Sequence, residues 1–253
     1  MLRELDKRDT LLLKGLAISA IVFHNFFHLI SPAGQNEFTF NAARFWTLLN
    51  CFKNPLTAIE GLFSFFGHFG VGIFVFLSAY GLAKSHWDDP APWARFLWGR
   101  IKKLYPAVGL VVIPWFVFII SQNGLAEAFS NHGVRVLWMA LGVSNLIPGY
   151  GLPPVGPWWF IPFVIQLYAL FPLIRCLTNR FGQQGLLAIS AACIVIIFIA
   201  HPRITEWSMT MLDTPIGRMP QFCLGIIAAR YPLRLDARLI VPAAAALLRG
   251  GVR

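Results

Sequence analysis

Long apolar runs dominate the chain, and they predict helices that cross a membrane. A spanning α-helix needs about 20 mostly apolar residues. Runs of this kind, the last of them short, lie at residues 11–30, 62–83, 104–121, 158–175, 185–200 and 217–229. The pattern therefore predicts an all-α fold, a polytopic membrane bundle of about six to eight transmembrane helices, in a single domain that covers residues 1–253.

Two further apolar segments are not counted as spans. Residues 134–147 are apolar but short, and we expect them to lie at the membrane interface or to re-enter rather than cross. Residues 239–248 begin another apolar run that reaches the end of the sequence. The basic start of the chain is typical of a signal peptide, but since the rest is equally apolar, an uncleaved first span is the better interpretation.

The basic residues predict which side of the membrane each loop occupies. Cytoplasmic loops of membrane proteins carry an excess of Lys and Arg. With the N-terminus in the cytoplasm, 16 of the 21 basic residues fall on the cytoplasmic side, within residues 3–14, 84–103, 175–180 and 230–253. If residues 134–147 crossed the membrane, every later segment would flip and this bias would collapse. The charges therefore favour a cytoplasmic N-terminus and a non-spanning 134–147 segment.

The composition also indicates that most of this chain lies in lipid. An ordinary soluble domain is about 25% charged, whereas this chain is 13% charged and 57% hydrophobic, with a mean hydropathy of +0.64. The net charge of +10 is explained by topology and not by nucleic acid, because the basic residues do not alternate with aromatic residues on a polar domain. The four cysteines show no CxxC spacing, so neither a metal site nor a disulfide framework is indicated.

Ionisable residues stand at both ends of the first predicted span. Lys14 opens the run KGLAISAIVFHNFFH, and His24 and His28 close it. On a helix, Lys14 and His24 are about 15 Å apart, roughly half the hydrocarbon thickness. Ionisable groups at such depth usually face a polar cavity, and a histidine suits the role of general base towards a hydroxyl. Alternatively, Lys14 is a snorkelling topology anchor and the histidines are hydrogen-bonded interfacial residues.

Polar residues also interrupt later spans. Ser78 and Tyr80 lie in HFGVGIFVFLSAYGLAKS, whose glycines permit close helix approach. Arg100 and Lys103 lie in RIKKLYP, where a helix begins at the cytoplasmic side. Cations beside free backbone N–H groups suit a phosphate, and ordinary juxtamembrane anchoring is the alternative.

A fourth motif, GPWWFIPFVIQLYALFPLI, begins with an aromatic belt that includes Trp159 and continues with the membrane-embedded Gln166. Taken together in this order, the motifs resemble the membrane-bound acyltransferase 3 family. The matching stretches are KGLAISAIVFH, FGVGIFVFLSAYGL, RIKKLYP, PWWFIPFVIQLYALFPLI and RMPQFCLGI. Each stretch is weak alone, but five in the right order over nearly the whole chain are a specific signal.

The resemblance implies an integral membrane enzyme that takes an acyl group, usually acetyl, from coenzyme A inside the cell. The group would pass to a hydroxyl of a surface or secreted carbohydrate. The implied partners are the bilayer, acyl-coenzyme A as donor substrate and a carbohydrate acceptor, with no bound cofactor, no metal and no nucleic acid. The implied location is the cytoplasmic (inner) membrane of a bacterium, with the N-terminus in the cytoplasm.

The resemblance also implies roles for individual residues. His24 would be the general base or carry the acyl group, with Lys14 at the family's basic position. His24 is one residue closer to Lys14 than is usual in the family, so Asn25 takes the family's angular position and His28 becomes an alternative base. Donor or substrate contacts are expected from Arg100, Lys103, Ser78, Tyr80, Trp159 and Gln166. Among the remaining histidines, none of which is expected to act directly, His68 has the best case because of its glycine-rich neighbours.

Two other functions stay open on sequence. A transporter or flippase for glycans or small molecules is one, although all eleven acidic residues fall outside or at the edges of the predicted spans, so a proton relay of Asp and Glu lacks its parts. Family members commonly have more spans than are predicted here. We therefore expect the chain to be incomplete at its C-terminal end, and an inactive truncated homologue is the other alternative.

Overall fold

The structure, a computed structural model, describes residues 5–30, 42–89, 91–151, 153–206 and 209–231, with only the backbone of residues 28–30, 44 and 205. The described residues form helices and no β-strand, which confirms the all-α prediction. The α-helices are α1 (Lys7–Ile30), α2 (Ala42–Cys51), α3 (Pro55–Phe66), α4 (Phe69–His86), α5 (Trp93–Asn123), α6 (Leu125–Ala128), α7 (Val134–Ala140), α8 (Phe160–Glu206) and α9 (Pro215–Arg230). The apolar run at 239–248 lies outside the described residues.

Three helical segments of the described chain are long and apolar enough to cross a membrane, and a bent helix pair could form a fourth span. They are Lys7–Phe27, Trp93–Asn123, Gly156–Ile204 and the pair Pro55–Phe66 with Phe69–His86. None of the apolar window of α5 is buried inside the protein. An apolar helix whose side chains point outwards is stable in lipid, where its backbone groups are satisfied internally. The chain is a helical membrane protein.

Two of the predicted spans are the two halves of α8. A straight helix of 47 residues would be about 70 Å long, more than twice the hydrocarbon thickness. Gly182 interrupts α8 with a φ of 63° and a ψ of −153°, which a residue with a Cβ rarely adopts. The break separates the apolar runs at 158–175 and 185–200, so that each half has the length of one span.

Two shorter helices, α9 in the predicted span at 217–229 and α7 in the 134–147 segment, are not long enough to cross, which corrects the prediction for 217–229. α9 has 16 residues and rises about 24 Å, less than the hydrocarbon thickness. Its inward face is buried, with Phe222 and Ile226 fully enclosed. α7 has only seven residues, and the 134–147 segment is not among the helices long and apolar enough to cross.

The described chain divides into two compact units. Of the described residues, those up to Ser85 and those from Leu224 onwards form the first unit, and those within His86–Cys223 form the second. Helices α1 to α3 and nearly all of α4 therefore belong to the first unit. The second unit contains α5 to α8 and the first part of α9.

In the first unit, α1 packs against the junction of α3 and α4. The two helices are bent by 52° across Gly67 and His68, so the predicted span at 62–83 is not one straight helix. A Cβ on Gly67 would lie 2.5 Å from the Cβ of His24, and one on Gly70 would lie 2.7 Å from the carbonyl oxygen of Ala17. The small residues therefore let the backbones of the junction and of α1 approach closely.

Candidate active site

His24 is buried where α1 meets the α3–α4 junction. Its residue surface is 5% exposed, although the helix that carries it is apolar and mostly exposed. Nδ1 of His24 lies 3.1 Å from the carbonyl oxygen of Phe63, near the end of α3. The same carbonyl accepts the backbone N–H of Gly67 at 2.8 Å. The helix end therefore supplies the acceptor that orients the imidazole.

This hydrogen bond defines the tautomer of the neutral ring. A carbonyl oxygen can only accept, so the proton of the bond belongs to Nδ1 of His24. The lone pair of the neutral ring is then on Nε2. An imidazole oriented through Nδ1 with its lone pair on Nε2 has the arrangement of a general base.

A second histidine lies beside the first. The ring centroids of His24 and His68 are 5.7 Å apart with an interplanar angle of 58°. His68 also contacts the ring of Phe69 at 4.1 Å. The bend between α3 and α4 turns His68 towards α1. His68, which had the best case among the remaining histidines, therefore lies beside His24, the predicted base.

The other predicted residues of the first unit take different positions. Asn25 donates from Nδ2 to the carbonyl oxygen of Ile21 within its own helix, at 2.8 Å, whereas His24 forms its hydrogen bond with Phe63 of α3. Lys14 is half-buried on α1. His28 lies in the last turns of α1, and its side chain lies outside the described part of the chain.

Ser78 and Tyr80 lie on α4, and only Tyr80 is buried. The Tyr80 hydroxyl donates to the carbonyl oxygen of Leu5 at 3.1 Å. The ammonium group of Lys84 lies 5.9 Å from the centre of the Tyr80 ring. Tyr80 therefore binds the segment before α1 to α4.

In the second unit, Arg100 lies between aromatic rings on α5 and α8. Its guanidinium carbon is 5.6 Å from the centre of the Phe96 ring and 5.8 Å from that of Tyr168. Lys103 is exposed on the same helix, and the charges of both Arg100 and Lys103 reach His86. Stacked guanidinium and exposed ammonium groups on one helix are a suitable pair for phosphate groups.

The Gln166 amide is bound on both sides by protein groups. Its Nε2 donates to the carbonyl oxygen of Gly142 at 2.7 Å and to Oδ1 of Asn145 at 2.6 Å. Nδ2 of Asn145 donates to Oε1 of Gln166 at 3.3 Å and to the carbonyl oxygen of Asp213 at 2.7 Å. Asn145 is 2% exposed. Such a network fixes the turns around it, so the structure gives Gln166 a scaffolding position.

Trp159, the remaining predicted contact, lies at the start of the fourth motif. Its ring packs against Phe160 and Phe163 at centroid distances of 5.8 and 5.6 Å. Among the described residues, no group of three or more His, Cys, Asp or Glu side chains is placed to hold a metal ion.

A family model described as an acyltransferase domain, that of the acyltransferase 3 family, matches residues 6–251. The chain belongs to this family. No curated protein and no solved structure matches the chain. The membrane acyltransferase that the motif order implied is thereby established at the level of the family.

Two residues of this acyltransferase 3 protein could not be singled out from its sequence, His86 beside the Arg100 region and Arg175, which holds the turn after His86. His86 packs edge-on against Phe96 at 5.6 Å, and Arg175 binds the turn that follows His86. Nothing in their local sequence links these two positions, which lie almost 90 residues apart. The one available signal was that Arg175 interrupts the apolar pattern at the end of the fourth motif.

Proposed function

We propose that this acyltransferase transfers an acyl group, acetyl in the first instance, from acyl-coenzyme A to a hydroxyl of a surface or secreted carbohydrate. His24 is the general base in this proposal. The observation that carries it is the hydrogen bond from Nδ1 of His24 to Phe63, which leaves the lone pair of the neutral ring on Nε2. The enzyme would lie in the cytoplasmic membrane of a bacterium with its N-terminus inside.

The reaction needs one proton removed and two reactants held together. Nε2 of His24 takes the proton of the acceptor hydroxyl while the oxygen of that hydroxyl attacks the thioester carbonyl. The new C–O bond forms, the C–S bond breaks, and coenzyme A leaves as its thiolate, which takes up a proton as His24 releases one. General base catalysis raises the reaction rate roughly 10²–10⁴-fold. The acyl group needs no further activation, because it is already a thioester.

The donor is bound in this proposal through its phosphates. Arg100 and Lys103 supply two positive charges on α5, and Arg100 is held by stacking on Phe96 and Tyr168. A guanidinium held in this way loses little conformational entropy when it binds a phosphate. The basic residues on this side also support a cytoplasmic position for the donor site.

The proposal is tested with purified chain in proteoliposomes, radiolabelled acetyl-coenzyme A and a mixture of bacterial glycans. Wild type should label carbohydrate, while His24→Ala and His24→Gln should not. His201→Ala, an exposed histidine on α8, is the matched control and should label like wild type. Label transfer that survives His24→Ala would contradict the role of His24. Glycan movement without any dependence on acetyl-coenzyme A would favour a transporter.

A further inference from the structure

The backbone of the turn between α4 and α5 contacts an arginine of α8. Nη1 of Arg175 lies 2.9 Å from the carbonyl oxygen of His86, 3.2 Å from that of Trp87 and 2.9 Å from that of Asp89. All four residues belong to the second unit. Three carbonyl oxygens directed at one guanidinium nitrogen fix the backbone of the turn, because hydrogen bonds to a charged donor are stronger than neutral ones.

Side chains of the turn add to this arrangement. Oδ2 of Asp89 lies 3.3 Å from Nδ1 of His86, and its Oδ1 accepts the backbone N–H of Ala91 at 2.9 Å. The N–H of Ala91 lowers the pKa of the Asp89 carboxyl, so the carboxylate is ionised at neutral pH. Nε1 of Trp87 donates to Oδ1 of Asn179 at 3.1 Å. The turn is therefore anchored to α8 at two points, one helical turn apart.

The anchored turn places His86 next to the predicted donor site. The ring of His86 packs edge-on against Phe96 at 5.6 Å, and the guanidinium carbon of Arg100 lies 5.6 Å from the centre of the same Phe96 ring. The charges of Arg100 and Lys103 both act on His86. The His86 side chain is 27% exposed, which leaves it accessible to a ligand.

We propose that His86 is a third residue that binds the phosphates of the donor, and that Arg175 is the positioning residue that sets His86 beside Arg100 and Lys103. The proposal rests on the proposed use of acyl-coenzyme A as donor. The Asp89 carboxylate on Nδ1 and a phosphate on Nε2 together stabilise the imidazolium form, which donates from both nitrogens. Burial of the His86 ring opposes this form most, followed by the charges of Arg100 and Lys103, and a bound phosphate neutralises those two charges.

The binding of coenzyme A to detergent-solubilised chain, measured by titration calorimetry, tests this. His86→Gln and Arg175→Ala should each raise the Kd of coenzyme A about fivefold. Because Arg175 acts through the turn, the double variant should bind within twofold of Arg175→Ala, instead of showing the product of both effects. Arg180→Ala, an exposed arginine of the same helix, is the control and should leave the Kd unchanged.

Each outcome bears on one claim. If wild type does not bind coenzyme A, the proposed function fails. If wild type binds and His86→Gln binds equally well, or if the two variants are additive, this inference fails while the proposed function stands. Should Arg175→Ala not fold, His86→Gln decides alone, because the His86 side chain is partly exposed. With S-acetylpantetheine, a donor without these phosphates, kcat/KM of His86→Gln should equal that of wild type, and an equal loss with this donor would indicate structural damage.

Discussion

Nδ1 of His24 and the carbonyl oxygen of Phe63 lie 3.1 Å apart, and this hydrogen bond joins α1 to the end of α3. Phe63 also accepts the N–H of Gly67, so one carbonyl connects His24, the helix end and the bend that follows. The orientation of His24 therefore depends on how closely α1 approaches that bend.

The first prediction concerns this close approach. Gly67→Ala would place a Cβ 2.5 Å from the Cβ of His24 and 2.6 Å from the carbonyl oxygen of Ala20. Overpacking of this kind costs about 1–3 kcal/mol, so we expect a lower Tm and a large loss of acyl transfer. Gly81→Ala is the control, since its Cβ would meet nothing within 4 Å. Thermal unfolding in detergent and the label-transfer assay check both variants, and equal behaviour of the two would refute the tight contact.

The second prediction separates the polar residues at the end of α1. We expect His24→Ala to lower kcat by roughly 10²–10⁴-fold, the contribution of a general base. Asn25→Ala should stay within about threefold of wild type, because its side chain bonds to its own helix and such a bond is worth only about 1 kcal/mol. His28→Ala is measured beside them. Full activity of His24→Ala with loss in His28→Ala would move the base to His28 and leave the family assignment intact.

The third prediction concerns the donor site. Arg100→Ala and Lys103→Ala should each raise the KM for acetyl-coenzyme A about tenfold, because each removes a charged donor to phosphate worth about 1.5–3 kcal/mol. The kcat should hardly change, since the acceptor hydroxyl and its base are untouched. Lys102→Ala serves as the control, because Lys102 lies over the Trp98 ring at 5.3 Å. Initial rates over a range of donor concentrations give KM and kcat of each variant. An equal rise in KM for Lys102→Ala would indicate a non-specific charge effect.

The fourth prediction concerns the amide network. Gln166→Ala removes the donor to the carbonyl oxygen of Gly142 and to Oδ1 of the buried Asn145, which costs about 1–3 kcal/mol. We expect a lower Tm with an unchanged KM for the donor. Gln184→Ala, on an exposed part of α8, should leave Tm unchanged. An altered donor KM at unchanged Tm would instead make Gln166 a substrate contact, as the motif implied.

Much of the fold could be predicted from hydropathy. The apolar runs at 11–30 and 104–121 correspond to α1 and α5, and those at 158–175 and 185–200 to the two halves of α8. The pattern could not show that the 62–83 run bends, because Gly67 and His68 interrupt it for only two residues. Nor could it show that Gln166 bonds to Asn145, since amide pairs across 21 residues leave no periodic signal.

By itself, the sequence determined the class of solvent, the helical architecture and the family. Long apolar runs with few charges are stable only as helices in lipid, and their order with the interspersed polar residues is specific. Only the tertiary structure decided which face of α1 is buried, which nitrogen of His24 carries the proton, and that Arg175 holds the turn after His86. These relationships depend on contacts between helices distant in sequence, where one carbonyl or one guanidinium selects among orientations that the local sequence leaves equivalent.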